Sequence, residues 1–431
     1  MLVRLETLGC RLNLGEIHAL GRALRLRGHR VVGPGQPADL VVLNSCTVTH
    51  VADRKSRKTL RRLRRNHPEA KLIVTGCFAA ELADQASAAE RVLALGADRV
   101  IDNLEKDRLL EHLEAEGLLP PGGASPDAGG LEDPRLSTTR AFLKAQDGCD
   151  QACSFCVVTL ARGAARSVDP DALLAEVRGL LREGFQEIVL SGVHLGGYGK
   201  EWPGGPDLAG LVARILDETE LPRLRLSSVE PWDLSPAFFE RFAHPRLMPH
   251  LHLPLQSGSD RILKRMARRT SRERFSAIVA GVRAVRPDVA ITSDLIVGFP
   301  GETEEDFAVS LELCERLGLA GLHVFPFSPR EGTAAATFEG QILPELRETR
   351  MLEALALASR LEQRCWQASI GQERPVLWES FEESEEGRTH SGLTDHYQRV
   401  TTLTADELDL RGRVLPTRLT AFEPTGLVGT L

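Results

Sequence analysis

Strand-sized apolar runs alternate with helical stretches along most of this chain, and that alternation restricts the fold more than any other feature. Val3–Leu8 reads as a strand and Glu16–Arg27 as a helix closed by Gly28. Asp39–Asn44 is the near-continuous apolar run of a buried parallel strand, Asp53–Arg65 a strongly basic helix, and Lys71–Thr75 and Arg99–Ile101 further strands. From Arg140 the alternation resumes. Strands are predicted at Ala141–Gln146, Glu187–Leu190, Arg223–Ser227, His250–Leu255, Ala290–Val297 and Gly321–Phe325, with helices between them at Asp169–Arg182, Asp260–Met266 and Glu304–Arg316. Six parallel βα units in succession predict a partial or full α/β barrel, a fold that binds ligands at the carboxyl ends of its strands.

The pattern breaks twice. Residues 117–139 are rich in Pro, Gly and small residues without periodicity, as a linker would be. After a long helix at Pro344–Ile370, short alternating runs such as Pro375–Phe381 and Arg413–Ala421 predict a small all-β barrel. The expected organisation is therefore α/β, with an open parallel sheet domain at 1–116, a linker at 117–139, a barrel core at 140–370 and a β module at 371–431.

At 42% apolar and 26% charged residues the composition is that of a globular chain, not a disordered or fibrous one. The formal net charge of −7 excludes a uniformly basic nucleic-acid binder, so any such contact has to come from local patches. Of the 53 cations only 7 are Lys, which leaves Arg, the residue suited to forked phosphate contacts. The first residues lack the apolar stretch of a signal peptide and no apolar run is long enough to span a bilayer. The expectation is a cytoplasmic protein with no membrane partner, whose eight cysteines are not disulfides.

Those cysteines fall into groups. Cys149, Cys153 and Cys156 lie in one loop directly after a predicted strand. Three thiolates at that spacing can ligate a soft metal centre, and three ligands on a four-iron cluster leave one iron open to a small molecule. A structural zinc site would want a fourth Cys or His close by, and the next His is His194. Cys10, Cys46 and Cys77 are far apart in sequence, yet each ends a predicted parallel strand, so all three are expected at one carboxyl edge. Small neighbours (Gly9, Ser45 and Gly76) leave room for a bulky cluster; three separate buried thiols are the alternative. Cys314 and Cys365 sit in helical patterns and read as packing residues.

The loop pattern Cys149-x3-Cys153-x-Phe155-Cys156 resembles the signature of the radical S-adenosylmethionine superfamily. With the N-terminal trio and the C-terminal β module, the chain is similar over essentially its whole length to the methylthiotransferases: a cluster domain, a radical core and a TRAM domain. Asn44-Ser45-Cys46-Thr47-Val48-Thr49, Ala52-Asp53-Arg54-Lys55-Ser56-Arg57, Gln146-Asp147-Gly148-Cys149-Asp150-Gln151 and Val297-Gly298-Phe299-Pro300-Gly301-Glu302 look like the group that acts on N6-threonylcarbamoyladenosine in tRNA. Thr159-Leu160, where that group commonly has Pro-Tyr, and His194, where it has Asn, are departures.

The resemblance implies methylthiolation at carbon 2 of the adenine next to the anticodon, with two 4Fe-4S clusters and S-adenosylmethionine as cofactors. The carbon 2 hydrogen is not acidic, so no positioned base can remove it and a radical supplied by the cofactor is required. Cys149, Cys153 and Cys156 are implied as catalytic ligands of the cluster that cleaves S-adenosylmethionine, and Cys10, Cys46 and Cys77 as ligands of the sulfur-donor cluster. The strand ends make Gly192, Gly196, Ser228, Glu230, Gln256 and Gly298 candidates for cofactor contact. The basic helix nominates Arg54, Lys55, Arg57, Lys58, Arg61 and Arg62 for RNA phosphates, and the TRAM-like segment nominates Tyr397. A second basic run, Arg261–Arg274, is a weaker RNA candidate, and the β module from 372 onward is acidic, six Arg against eleven carboxylates. The implied partners are tRNA, an unidentified electron donor such as a flavodoxin-like reductase, and a sulfur source. The competing readings are a methylthiotransferase for isopentenyl-adenosine tRNA or for a ribosomal protein, and a noncatalytic iron–sulfur RNA-binding sensor.

Overall fold

The computed structural model describes residues 1–80, 88–122, 139–405 and 408–431. Most of the predicted linker, 123–138, lies outside the described residues. The chain forms two compact units. The first gathers the N-terminal region with two later loops, Asp147–Arg166 and Ser328–Thr337; the second holds the rest.

In the first unit the elements are β1 (Leu2–Thr7), α1 (Arg11–Leu26), β2 (Arg30–Val32), β3 (Leu40–Ser45), α2 (His50–Asn66), β4 (Lys71–Gly76), α3 (Ala88–Leu93), β5 (Arg99–Val100) and α4 (Leu109–Ala115). The five strands form one parallel sheet in the order β2-β1-β3-β4-β5. Strand β3 is buried at every position, which is why it reads as a near-continuous apolar run. Helix α1 starts several residues earlier than its apolar pattern suggests, because Cys10 stands at its N-cap with extended backbone. Strand β2 is a short edge strand that the sequence pattern did not reveal. Helix α2 is capped by Thr49, whose hydroxyl accepts from the Ala52 N–H at 3.1 Å. It turns Ser56, Thr59, Leu60 and Leu63 inward and its cations outward.

The second unit begins with β6 (Arg140–Asp147), whose last residue passes to the first unit. The loop that follows carries α5 (Val158–Arg162) and leads to β7 (Arg166–Ser167). Then come α6 (Pro170–Arg182), β8 (Glu187–Gly192), α7 (Leu208–Glu218), β9 (Arg223–Leu226), α8 (Pro236–Arg241), β10 (His250–His252), α9 (Asp260–Arg265), α10 (Arg272–Val285), β11 (Ala290–Val297), α11 (Glu304–Arg316), β12 (Gly321–Pro326) and α12 (Pro344–Ser369). Strands β6, β8 and β9 pair in parallel, as do β10, β11 and β12. The Leu224–Leu247 bridge and the bond from the Val229 N–H to the His252 carbonyl join the two sets into an arc of six parallel strands. The arc is a partial barrel. Alternate residues such as Leu143, Ile188, Leu224, Leu251, Ile291 and Leu322 pack against the helices. The intervening positions, including Arg140, Glu187, Arg225, His250 and Asp294, are polar.

Strands β13 (Glu373–Ser384), β14 (Gly387–Thr394), β15 (Arg399–Thr404), β16 (Val414–Glu423) and β17 (Gly426–Thr430) close into a small barrel around Trp378, Val400, Leu419 and Leu427. Its place against the arc is set by buried charge. Glu187 is fully buried between Arg223 (2.8 Å) and Arg225 (2.7 Å). These guanidiniums also donate to barrel carbonyls, Arg223 to Pro375 at 3.0 Å and Arg225 to Asp395 at 3.0 Å. Burial alone would raise the Glu187 pKa; the two guanidiniums outweigh it and hold the carboxyl at about 2.

Candidate functional site

The three N-terminal cysteines lie where the order of the first sheet puts them. Strands β1, β3 and β4 are adjacent and parallel, with Thr7 beside Asn44 and Asn44 beside Thr75, so Cys10, Cys46 and Cys77 follow the same edge. Gly9 and Gly76 both have left-handed backbone. A Cβ on Gly9 would stand 2.7 Å from the Cys46 Sγ, and one on Gly76 would stand 2.5 Å from the Ser45 carbonyl oxygen. Only glycine permits that approach. Cys46 and Cys77 are buried and Cys10 is exposed. Burial pushes the Cys46 thiol up to about 11 and the Cys77 thiol up as well. Three thiols sharing one edge, two of them buried, fit a soft metal centre, which supplies the positive charge that bare thiolates there would lack.

The second trio lies in the loop after β6. Gly148 is left-handed, and a Cβ there would sit 1.9 Å from the Ala164 carbonyl oxygen. That turn lets the Cys149 N–H reach the Gly163 carbonyl at 3.0 Å. Backbone N–H groups face the sulfurs: Gln151 donates to Cys149 Sγ at 3.4 Å, and Val158 and Thr159 donate to Cys156. Burial raises the Cys156 thiol to about 11, with its neighbours Cys153 and Cys149 contributing in the same direction. Both trios belong to the first compact unit. Cys314 is a fully buried residue of the helix-packed core, and the Cys365 thiol accepts from Gln398 at 3.3 Å.

The candidates for cofactor contact follow strands of the arc. Gly192 ends β8. A Cβ on Gly196 would clash with Asp233, and Ser228 is exposed. Glu230 is held in a fork by Arg268 at 2.9 and 2.5 Å. Gln256 has left-handed backbone (φ +72) and bridges to Leu295. The Gly298 N–H donates to Glu302 at 2.7 Å; burial pushes that carboxyl up to about 7 although Arg350 stands 2.8 Å away. His194 is buried, with Nε2 2.6 Å from Asp233, and Leu160 is exposed.

Along α2, residues Arg54, Lys55, Arg57, Lys58, Arg61 and Arg62 are all exposed. Arg54, Arg57, Lys58, Arg61, Arg64 and Arg65 line a cleft of 540 Å³. Arg62 pairs with Glu6 and Arg57 with Asp53. The second basic run spends three of its arginines inside the molecule: Arg261 binds Asp306, Arg265 the Pro300 carbonyl and Arg268 Glu230. Tyr397 is half-buried; its ring stacks on His250 at 4.9 Å, with the Arg225 guanidinium 4.8 Å from its centroid.

Three groups have no counterpart in the sequence reading. His252, Asp294 and His323 meet on neighbouring strands β10, β11 and β12, where hydrogen bonds from both imidazoles overcome burial and hold the Asp294 carboxyl well below the usual range. Their alternate positions on consecutive predicted strands were the available signal. Thr47, His50, Arg91 and Arg330 line a cavity of 170 Å³ beside Cys77. Around Arg162 lies a buried ionic network of Glu16, Lys106 and Asp147. None of its members is close to all the others in sequence.

Fold and cysteine loop together define a radical S-adenosylmethionine protein. Residues 143–314 match the model of the Radical SAM superfamily, and residues 2–96 that of Uncharacterized protein family UPF0004. The chain is similar to the threonylcarbamoyladenosine tRNA methylthiotransferase MtaB of Bacillus subtilis, with 35% identity covering 92% of this chain and 89% of that protein. The MtaB of Thermotoga maritima is 37% identical, covering 88% and 87%. A tRNA-2-methylthio-N(6)-dimethylallyladenosine synthase of Cereibacter sphaeroides is 35% identical, covering 99% and 97%. Among solved structures, the radical S-adenosylmethionine methyltransferase TsrM of Kitasatospora setae shares the fold at a TM-score of 0.56 and 15% identity, covering 78% of this chain and 77% of that one. The chain belongs to the tRNA methylthiotransferase family of radical S-adenosylmethionine enzymes. Its cofactors are those of the family, 4Fe-4S clusters and S-adenosylmethionine. No described helix is long and apolar enough to cross a membrane.

Proposed function

We propose that this enzyme methylthiolates carbon 2 of N6-threonylcarbamoyladenosine next to the anticodon of tRNA. The observation that carries the reading is the pair of three-cysteine sites within one compact unit. One set alone serves radical generation; a second is what sulfur insertion adds. The names of the MtaB relatives support the choice of base.

Cys149, Cys153 and Cys156 would hold the cluster that binds S-adenosylmethionine, and Cys10, Cys46 and Cys77 the cluster that carries the sulfur. Bound there, these cofactors supply the radical that takes the hydrogen and the sulfur that replaces it. The chain's own residues position and shield. Gly192, Gly196, Ser228, Gln256 and Gly298 would contact S-adenosylmethionine along the strand ends, although Asp233 and Arg347 crowd Gly196 and Gly298, and Arg268 holds Glu230 at the same rim. Arg54, Lys55, Arg57, Lys58, Arg61 and Arg62 would grip phosphates of the tRNA, a role suited to an enzyme working in the cytoplasm. Tyr397 would serve the RNA by holding the β module in place, because its ring is already packed against His250 and Arg225.

Mass spectrometry of tRNA nucleosides from a strain lacking this chain tests the reading. The methylthio derivative of threonylcarbamoyladenosine should vanish and return on complementation. Loss of the methylthio dimethylallyladenosine instead would assign the chain to the second group of relatives. Replacing Cys149, Cys153 or Cys156 by Ala should abolish deoxyadenosine formation, whereas replacing Cys10, Cys46 or Cys77 should spare it and stop methylthiolation.

A further inference from the structure

Arg162 ends helix α5, six residues beyond Cys156, and is 1% exposed. Its Nη1 donates to Glu16 at 3.0 Å and to Asp147 at 2.7 Å, and its Nη2 to Asn13 Oδ1 at 2.6 Å. Its charge also acts on the buried Cys77 thiol, against the raising effect of burial. Its partners lie on the elements that carry the two cysteine sites. Asn13 and Glu16 lie on α1, which Cys10 opens, and Asp147 comes two residues before Cys149. Asn13 is itself a junction. Its Oδ1 accepts the Cys10 thiol at 3.6 Å, and its Nδ2 donates to the Leu8 carbonyl at 2.8 Å and the Ser45 carbonyl at 3.0 Å. Lys106 closes the network at 2.7 Å from Glu16 and 3.2 Å from Asp147, and Asn103 donates to the Ala161 carbonyl at 2.7 Å.

The charges have a consequence. The buried cations Arg162 and Lys106 balance the buried anions Glu16 and Asp147 before any metal binds, with the partly exposed Arg166 3.8 Å from Asp147 at the margin. Three thiolates on a four-iron core bring net negative charge, and one-electron reduction adds another. In a buried site that charge is costly unless a cation stands close. Arg162 is the guanidinium that shares the Asn13 amide oxygen with the Cys10 thiol, and a guanidinium stays charged whatever the pH.

We propose that Arg162 is a positioning residue that ties the Cys10–Cys46–Cys77 site to the Cys149–Cys156 loop and supplies the buried positive charge that makes a cluster on those three cysteines easier to reduce. This rests on the reading that the N-terminal trio holds a cluster. The step concerned is uptake of one electron from a low-potential reductant, with no bond broken and no proton moved. The fork geometry provides the tie: one planar side chain donates to Glu16, Asp147 and Asn13 at once.

The test uses the full chain carrying Cys149→Ala, Cys153→Ala and Cys156→Ala, reconstituted anaerobically so that only the N-terminal trio can hold iron. Iron content and an EPR-monitored potential titration with dithionite are read together. Arg162→Met should lower the midpoint by at least a tenfold shift in the redox equilibrium, about 59 mV for one electron. Arg162→Lys should restore most of that shift, and Glu16→Gln, which removes an anion, should move the midpoint the other way. An Arg162→Met chain that loads its iron and titrates at the parental midpoint overturns the proposal, as does an Arg162→Lys chain shifted as far as Arg162→Met. If Arg162→Met fails to load, Glu16→Gln decides: a raised midpoint supports the proposal, and an unchanged or lowered one overturns it. A parental chain that takes up no cluster overturns the underlying reading instead, and the iron assay reports that separately.

Discussion

Replacing Glu187 by Gln should unlock the C-terminal barrel from the arc. Glu187 is fully buried, and its two oxygens are shared between Arg223 and Arg225, which themselves hold carbonyls of the barrel at Pro375 and Asp395. Gln keeps the shape and removes the charge, leaving two guanidiniums buried without an anion. The drop from an ordinary glutamate to a pKa of about 2 corresponds to about 3 kcal/mol of favourable interaction. That is the lower end of the roughly 3–5 kcal/mol cost of breaking a buried ion pair from one side. The folded carboxyl binds its proton less tightly than the unfolded one. Its stabilisation is therefore fully present above the unfolded pKa near 4.5 and is lost as pH falls towards about 2. Urea unfolding of the cluster-free chain, followed by tryptophan fluorescence, includes the barrel core through Trp378 and Trp366, two of the four tryptophans. The wild-type midpoint should fall as pH drops from 5 to 3, while Glu187→Gln should start lower and change less. Wild-type stability in the Gln variant at pH 7 would refute the argument that this carboxylate is the keystone.

Other expectations follow from single side chains and one charged face. Gly9→Ala places a methyl 2.7 Å from the Cys46 Sγ on left-handed backbone, so reconstituted protein should lose the iron of the N-terminal site and retain that of the Cys149–Cys156 loop; full iron content would contradict the close approach. Neutralising Arg54, Lys58, Arg61 and Arg65 together should weaken tRNA binding and flatten its salt dependence, by roughly 0.7–0.9 in the log–log slope for each phosphate no longer neutralised. An unchanged slope would exclude α2 from the interface. Tyr397→Ala removes the ring between His250 and Arg225 and should increase proteolysis within the β module while leaving S-adenosylmethionine cleavage intact; a protease pattern identical to wild type would count against a docking role.

How legible the molecule was depends on the range of the interaction. The six strands of the arc were readable because apolar residues recur within each short segment, and their ends were placed within a few residues. Helix α1 was predicted late because the apolar pattern begins only after its first turn, at whose N-cap Cys10 stands. Charge runs were less informative. Asp53–Arg65 and Arg261–Arg274 look alike as strings, yet the first exposes its cations along a cleft and the second folds three of its arginines onto Asp306, Glu230 and backbone carbonyls. Whether a cation meets solvent or a buried acceptor depends on residues far along the chain, which no local pattern encodes.

By itself the sequence determined the parallel α/β character, the closing β module, and the tight cysteine loop, since periodicity and short spacing act within a few residues. It also set each N-terminal cysteine at the end of a strand. Only the tertiary structure decided that those strands are neighbours: β2 takes the sheet edge, so β1, β3 and β4 lie side by side and their thiols share one end. The structure likewise brought Arg162 to Glu16 across 146 positions of sequence and to Asn13 beside Cys10. Such convergence is stabilised by burial, which makes buried charges find partners wherever in the chain they stand.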